Sequence, residues 1–330
     1  MAKHSPSRRA KDKRRTPAQD NLSDARAGQS GLVICNYGQT LDVEDQAGSI
    51  HRCTSRKKID NLVCGDRVVW LPAGGDEGVI VALQDRQSLL ARPDSNGNLK
   101  PVAANVDQLI VVTAPRANND LHIADGDLPI DISLVDRYLV AAELSGIHAV
   151  IVVNKIDLLS SADLARTRLF MEIYQDIGYE VLFTCAKYHP ASEELAGALK
   201  TQTNVFCGPS GVGKSSLVKA VLPDRNIRIG EVSAAGGGRH TTTLTALYHL
   251  GEGGALIDSP GVRDFGLWHV DTAQIARGFA EFRRYAPDCR FSDCTHLHEP
   301  GCAVQQAVEE QHVSPVRLAS YRRIIASLQH

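Results

Sequence analysis

With 330 residues, 43% of them hydrophobic, the chain can bury ordinary cores in two or three domains, and its longest apolar run, 147–153, is broken by His148 and far too short to span a membrane. The 36 Lys and Arg nearly balance 38 Asp and Glu, yet residues 1–26 hold eight basic residues against three acidic ones, so a basic arm precedes an acidic body. No apolar stretch follows those first basic residues, which argues against a secretory signal; the reading is a cytoplasmic protein without a membrane partner, expected as a monomer.

The arm, 1–30, mixes Lys3, Arg8, Arg9, Lys11, Lys13, Arg14 and Arg15 with Ser, Pro and Asp. Such a composition cannot form a core and predicts disorder; it serves either as a solvated tail or as a contact for RNA phosphates. Over 31–95, the short runs GLVICNY, TLDVED, SIHRCTS, DRVVWLP and GVIVALQ are separated by Gly, Asp, Asn and Pro. This spacing predicts about five strands in an OB-like β-barrel, a fold whose faces bind nucleic acid. His51, Arg52, Arg56, Lys57 and Lys58 form a basic stretch there, which taken alone reads more simply as a solvated hairpin.

From Val106 the pattern changes. Strand-like runs DQLIVVTA, GIHAVIVV, YEVLFT, TNVFC and GALID alternate with helical periodicity, which implies parallel strands covered by helices in an α/β domain over 100–267. In 131–144, Leu134, Val135, Tyr138, Leu139 and Ala142 mark the core side of a helix, with Asp136, Arg137 and Glu143 on its polar side.

The motif NKID, formed by Asn154, Lys155, Ile156 and Asp157, ends an apolar run at the edge where open α/β sheets bind ligands. A carboxylate at Asp157 can accept from both the N1–H and the N2 amino group of guanine, a donor pair that adenine lacks. Lys155 can lay its stem along the base, and Asn154 can tie this loop to a phosphate loop. Alone, N-K-x-D also fits an ordinary loop before a helix; beside a phosphate loop it selects GTP. Thr184, Cys185 and Ala186 follow the next strand-like run, where backbone N–H groups can reach the guanine oxygen.

The phosphate loop is GPSGVGKSS. Gly208, Pro209, Ser210, Gly211, Val212, Gly213, Lys214, Ser215 and Ser216 fit G-x-x-x-x-G-K-[ST] between a predicted strand and a predicted helix. Its glycines turn backbone N–H groups toward phosphates, Lys214 neutralises β and γ oxygens, and Ser215 offers a hydroxyl to Mg²⁺. Gly236, Gly237 and Gly238 then loosen a loop whose Thr241, Thr242 and Thr243 stand where Mg²⁺ needs a further hydroxyl; Thr242 represents the three, and a plain surface loop is the alternative. In DSPG, Asp258 suits a water-mediated hold on Mg²⁺ and Gly261 suits γ-phosphate sensing. The base-reading motifs thus precede the phosphate loop, as in a circularly permuted P-loop GTPase domain. Such rewiring is physically easy, because the ends of a compact domain often lie close together. The γ-sensing segment then runs directly into the C-terminal region.

Beyond Trp268 the strand pattern stops. Cys289, Cys294, His296 and Cys302 give C-x4-C-x-H-x5-C, three thiolates and an imidazole that suit a closed, structural Zn²⁺ site in a helical domain over 268–330. His298 is a competing ligand, and buried free cysteines are the alternative. Cys35, Cys53, Cys64, Cys185 and Cys207 are scattered and read as small apolar core residues. The last segment, 315–328, aligns Leu318, Tyr321, Ile325 and Leu328 on one stripe, with Arg317, Arg322 and Arg323 nearby.

Together GPSGVGKSS, NKID, GRHTTT and DSPG, set between an OB-like unit and a Cys/His region, resemble the bacterial RsgA (YjeQ) family of small-ribosomal-subunit-dependent GTPases from about residue 31 to the C-terminus. The resemblance implies a factor in late maturation of the small ribosomal subunit, with the subunit, its rRNA and GTP/GDP as partners and turnover stimulated by the subunit. It also implies this same pattern of zinc ligands. It does not extend to the basic arm.

Val262 follows Gly261 where many GTPases place a water-orienting Gln. Its isopropyl group makes no hydrogen bond, so intrinsic turnover should be slow. His240 can position water and Arg239 can offset phosphate charge. The resemblance implicates the histidine at this place in activated hydrolysis, which makes His240 the candidate catalytic residue; the alternative is a pair of exposed loop residues facing RNA phosphates. Three other functional readings remain: a nucleotide-gated RNA-binding protein in which hydrolysis is incidental, a P-loop ATPase or small-molecule kinase with NKID coincidental, and an independent metal-dependent interaction module at the C-terminus.

Overall fold

Alternating apolar and polar residues bend the first five strands around one interior. The computed structural model describes residues 27–57, 59–94, 96–115, 128–188, 193–222, 245–251, 253–259, 267 and 270–328. Strands β1 (Gln29–Asn36), β2 (Leu41–Asp45), β3 (Ile50–Ser55), β4 (Arg67–Gly74) and β5 (Glu77–Leu83) pair in the order β1-β2-β3-β5-β4, and β4 returns to β1. Only the β3–β5 pair is parallel. This is a closed five-stranded barrel of the OB type. Val33, Val43, Cys53, Val68, Trp70 and Ile80 fill it, each at most 1% exposed, and burial pushes the Cys53 thiol up to about 11. Part of the basic stretch turns to local partners: Arg52 reaches Asp42 at 2.6 Å and lies over the Tyr37 ring, while His51 meets Asp45 at 3.0 Å beside Trp70.

Strands β6 (Leu89–Pro93) and β7 (Leu99–Ala104) form a separate hairpin. It crosses the interval between the expected barrel and the expected α/β domain. Asp94 shapes its turn, with one carboxylate oxygen accepting from the backbone N–H groups of Asn96 and Asn98 at 2.8 and 2.9 Å.

The α/β part comprises β8 (Gln108–Thr113), α1 (Ile132–Leu144), β9 (His148–Val153), α2 (Ser161–Ile177), β10 (Glu180–Phe183), α3 (Glu193–Leu199), β11 (Thr203–Cys207), α4 (Lys214–Val221), β12 (Ala246–His249) and β13 (Ala255–Asp258). Strands β10-β9-β8-β11-β13 are parallel, and β12 lies antiparallel on β13. Continuous apolar runs are what a sheet covered on both faces requires. In β8, Leu109 and Val111 face the core under α1 and α2, and Ile110 and Val112 face the core under α3 and α4.

The barrel and this sheet are one hydrogen-bonded structure of 11 strands. Cys35 of β1 pairs with Ala246 of β12, and Ala246 pairs with Asp258 of β13, so one row of residues crosses the junction. Beside it Cys64 Sγ donates to the Thr245 carbonyl at 3.0 Å.

Helices α5 (Thr272–Gly278), α6 (Ala303–Glu309) and α7 (Pro315–Leu328), with short 3₁₀ turns, follow the last strand. Asp271 caps α5 in a reciprocal capping box with Gln274. Phe279 and Phe282 stack on each other and each meets Tyr321 edge to face, and α5 and α7 lie against α1. At this contact Arg317 of α7 is fully buried between Asp136 of α1 and Glu281, the latter at 2.6 Å. Tyr174 donates to Asp136 at 2.8 Å. Burial raises the Asp136 carboxyl despite the Arg317 charge beside it. Burial also opposes charge on Arg317, but its two carboxylate partners outweigh that effect and keep it protonated.

Two sequence expectations change here. Asp136, assigned to a polar helix side, is buried, because α5 and α7 cover that side. Leu328, assigned to the apolar stripe, is 38% exposed, whereas Ile324 and Ser320 are buried. Among the described residues no helix is long and apolar enough to cross a membrane.

Candidate nucleotide site and metal cluster

The phosphate loop leaves the C-terminal end of β11 and enters α4 at Lys214. Gly208 has φ +134°, and a Cβ there would stand 2.2 Å from the carbonyl oxygen of Val112, so only glycine can pass so close to β8. Lys214 folds over the loop, its Nζ donating to the carbonyls of Gly208 and Pro209 at 2.7 and 2.6 Å. The loop and Lys155 line a cleft of about 520 Å³, with Ser210, Gly211, Gly213, Ser215 and Ser216 on its wall.

Lys155 comes from the neighbouring region of the sheet edge. Strand β9 ends at Val153 and hands the chain to Asn154, whose backbone N–H donates to the Thr113 carbonyl at 2.8 Å. The Asn154 side chain, 1% exposed, joins three loops. Its Nδ2 donates to the Val212 carbonyl at 2.9 Å, and its Oδ1 accepts from Thr184 Oγ1 at 3.1 Å and the Ala186 N–H at 3.2 Å. Lys155, in the left-handed region at φ 59°, donates from Nζ to the Gly211 carbonyl at 2.5 Å. Ile156 and Asp157 follow in a 3₁₀ turn, where the Ile156 N–H donates to the Thr184 carbonyl at 3.3 Å and Asp157 is exposed. NKID, 184–186 and the phosphate loop therefore meet at one edge of the sheet despite their order in the chain.

Asp258 ends β13, the strand beside β11. The next residue, Ser259, accepts from Thr245 Oγ1 at 2.8 Å. Thr242, Gly261, Arg239, His240 and Val262 lie outside the described residues, as do residues 1–26 of the 1–30 arm, whereas Gln29 and Ser30 at its end pair with β4 as the start of β1. Sequence reasoning gave 184–186 only backbone donors and placed Cys185 among apolar core thiols. In the structure Thr184 donates through its hydroxyl, and Cys185 Sγ donates to Asp157 Oδ1 at 3.0 Å. Donor side chains next to a base-reading motif were the available signal.

Cys289, Cys294, His296 and Cys302 bring their ligand atoms within 4.8 Å of one another, a group that can hold a metal ion. Cys289 Sγ lies 3.6 Å from His296 Nδ1 and 4.0 Å from Cys302 Sγ, and His296 Nδ1 lies 3.4 Å from Cys302 Sγ. His298, the competing ligand in the sequence, is exposed and outside this group. Glu299 shapes the loop between ligands by accepting from Thr295 and from the N–H groups of Leu297 and His298. Burial alone would raise the Glu299 carboxyl, but these donors bring it down to about 2.

A P-loop at the end of a central strand, the NKID loop two strands away and a reversed order of the two along the chain are those of a circularly permuted P-loop GTPase, here carrying an OB-type barrel and a helical Cys/His region. The chain belongs to the RsgA GTPase family, whose profile matches residues 83–268, and it is accordingly a GTP-hydrolysing enzyme. The protein named small ribosomal subunit biogenesis GTPase RsgA from Histophilus somni (strain 2336) is 47% identical over 305 residues, covering 91% of this chain and 84% of its own length. Its namesake from Haemophilus influenzae (strain 86-028NP) is 45% identical over 313 residues, with 93% and 87% covered. The crystal structure of YjeQ from Thermotoga maritima superposes with a TM-score of 0.72 at 31% identity, covering 91% of this chain and 98% of that one. YloQ, described as a circularly permuted GTPase, also gives 0.72, at 27% identity and with 92% and 95% covered.

Proposed function

We propose that this GTPase acts as a switch in late maturation of the small ribosomal subunit, and that docking on the subunit stimulates its turnover. The observation that carries the proposal is the buried Asn154 amide, which ties its own NKID loop to the phosphate loop and to residues 184–186 at once. The names of relatives that align over most of their length supply the ribosomal context. In this reading Asp157 reads guanine, Lys155 lies along the base, and loop 208–216 cradles the phosphates with Lys214 on the β and γ oxygens. Ser215, Thr242 and, through water, Asp258 would hold Mg²⁺, which would neutralise phosphate charge, and the Gly261 N–H would sense the γ-phosphate. His240 accepts a hydrogen bond from the attacking water. The subunit's rRNA is the docking partner, and the working location is the cytoplasm, with the chain acting as a monomer.

GTP turnover by purified protein should be slow alone and rise at least about tenfold with small subunits, since partner stimulation in comparable switches reaches roughly 10³–10⁵. The rise should shrink as salt increases from about 50 to about 200 mM, because phosphate contacts weaken. His240→Ala should bind GTP normally yet respond little to subunits. A variant stimulated as fully as the parent would remove His240 from the mechanism.

The Cys/His group fits structural Zn²⁺. Bonds of about 2.3 Å to sulfur and about 2.0 Å to nitrogen give tetrahedral edges of roughly 3.8 and 3.5 Å, close to the 4.0, 3.6 and 3.4 Å separations among Cys289, His296 and Cys302, with Cys294 inside the 4.8 Å that bounds the group. Elemental analysis should find one zinc per chain, Cys302→Ser protein should retain little of it, and chelation should lower the thermal midpoint. A metal-free preparation that melts unchanged would refute the structural role.

A further inference from the structure

We infer that Thr245 is a positioning residue for the Asp258 carboxylate, and that the barrel holds Thr245 in place through the thiol of Cys64. The inference rests on the reading of Asp258 as a Mg²⁺-side carboxylate. Thr245 directly precedes β12, and its hydroxyl donates to the hydroxyl of Ser259 at 2.8 Å. Ala246 and Asp258 are the last paired residues of β12 and β13, so this bond ties the chain once more just past Asp258. Strand ends open most easily, and Asp258, half-buried at the end of a four-residue strand, is secured on both sides: by the ladder before it and by the buried Ser259 after it.

Thr245 is in turn held by the barrel. Its carbonyl lies 3.0 Å from Cys64 Sγ, and the Ile34 carbonyl lies 3.4 Å from the same sulfur. A thiol carries one proton, which the shorter contact directs to Thr245. Burial pushes the Cys64 thiol up, so it stays a donor at neutral pH. The backbone beside it is fixed too: the Cys64 carbonyl accepts from the Ala104 N–H at 3.0 Å, and the Gly65 N–H donates to the Val33 carbonyl at 2.9 Å. Gly65, at φ +89°, lets this segment press on β13. A Cβ there would run into the Ala104 carbonyl and stand 3.3 Å from Cδ1 of Ile257, the residue before Asp258.

Segment 64–65 thus touches the start of β12 and the end of β13 together, and the two strands meet again at the Thr245 and Ser259 hydroxyls. The consequence is specific to one part of nucleotide affinity. The base and phosphate loops leave other strands of the sheet, so loss of the Thr245 hydroxyl should reduce the gain that Mg²⁺ brings and leave metal-free binding unchanged.

Equilibrium titration of the full-length protein with GTPγS, in Mg²⁺ and again in EDTA, tests this. The affinity gained from Mg²⁺ should fall about threefold to tenfold in Thr245→Val, the range of one net hydrogen bond, and Thr245→Ser, which keeps the hydroxyl, should restore it. Cys64→Ala should lower the same gain, and the double variant should lose less than the sum of the single losses, because both changes act through one contact. An unchanged gain in Thr245→Val or Cys64→Ala, equal losses in Mg²⁺ and EDTA, failure of the serine rescue or additive losses in the double variant would each overturn the inference. Asp258→Asn separates the two layers of the reading. If it removes the gain while Thr245→Val does not alter it, only the positioning role fails; if it leaves the gain intact, the Mg²⁺ assignment of Asp258 fails with it.

Discussion

Gly213→Ala should weaken guanine-nucleotide binding about a hundredfold while leaving most of the fold intact. Gly213 stands at the start of α4 with φ +100°, a conformation that L side chains rarely adopt. A Cβ at this position would also lie 2.3 Å from Asn154 Nδ2. That nitrogen is the donor to the Val212 carbonyl, so the methyl group would displace the amide that joins phosphate and base loops. Backbone strain of about 1–2 kcal/mol and a buried hydrogen bond lost at about 1–3 kcal/mol add to roughly two decades of affinity at about 1.4 kcal/mol per decade. Calorimetric titration with GDP would measure it, and binding within about threefold of the parent would show that the amide does not organise the site.

Arg317→Ala should be the most destabilising single change among the buried charges, at about 3–5 kcal/mol. The guanidinium is buried between Asp136 and Glu281, and its removal leaves Asp136 in a dry contact without its cation. The deficit should depend on pH. Burial already raises the Asp136 carboxyl, and Arg317 is the main influence pulling it down; without Arg317 the folded state holds a proton that the unfolded chain releases nearer the ordinary carboxylate range. When the folded state binds more protons than the unfolded state, stability falls as pH rises. The variant should therefore recover part of its loss as pH is lowered from neutrality toward that range. Chemical denaturation at several pH values would detect this, and a loss independent of pH would place the damage in packing instead.

The two halves of the candidate site were legible because their chemistry is local. Glycines at 208, 211 and 213 and the adjoining Lys214 announce a phosphate loop within nine residues, and NKID needs only four. The five barrel strands were legible for a similar reason, since alternation over a few residues fixes which side faces inward. What escaped the sequence depends on partners far along the chain. Asp136 looks like a solvent residue until α7 brings Arg317 from 181 positions away. Cys185 looks like a small apolar filler until Asp157 comes within 3.0 Å. Strand β12 is four residues long, too short for a periodic signal, and its pairing with both β1 and β13 is a matter of long-range register. The hairpin of β6 and β7 did leave a trace, the Asn96-Gly97 turn after Asp94, which is a strong local signal for such a loop.

The row Cys35, Ala246 and Asp258 makes the barrel a lever and not a bead on a string. Two inter-strand steps, about 10 Å, separate its first strand from the carboxylate at the tip of β13. Tilting the barrel would strain the Cys35–Ala246 pairing and the β12–β13 ladder behind it, so a force applied at the outer rim has a route to the sheet edge that carries Asp258.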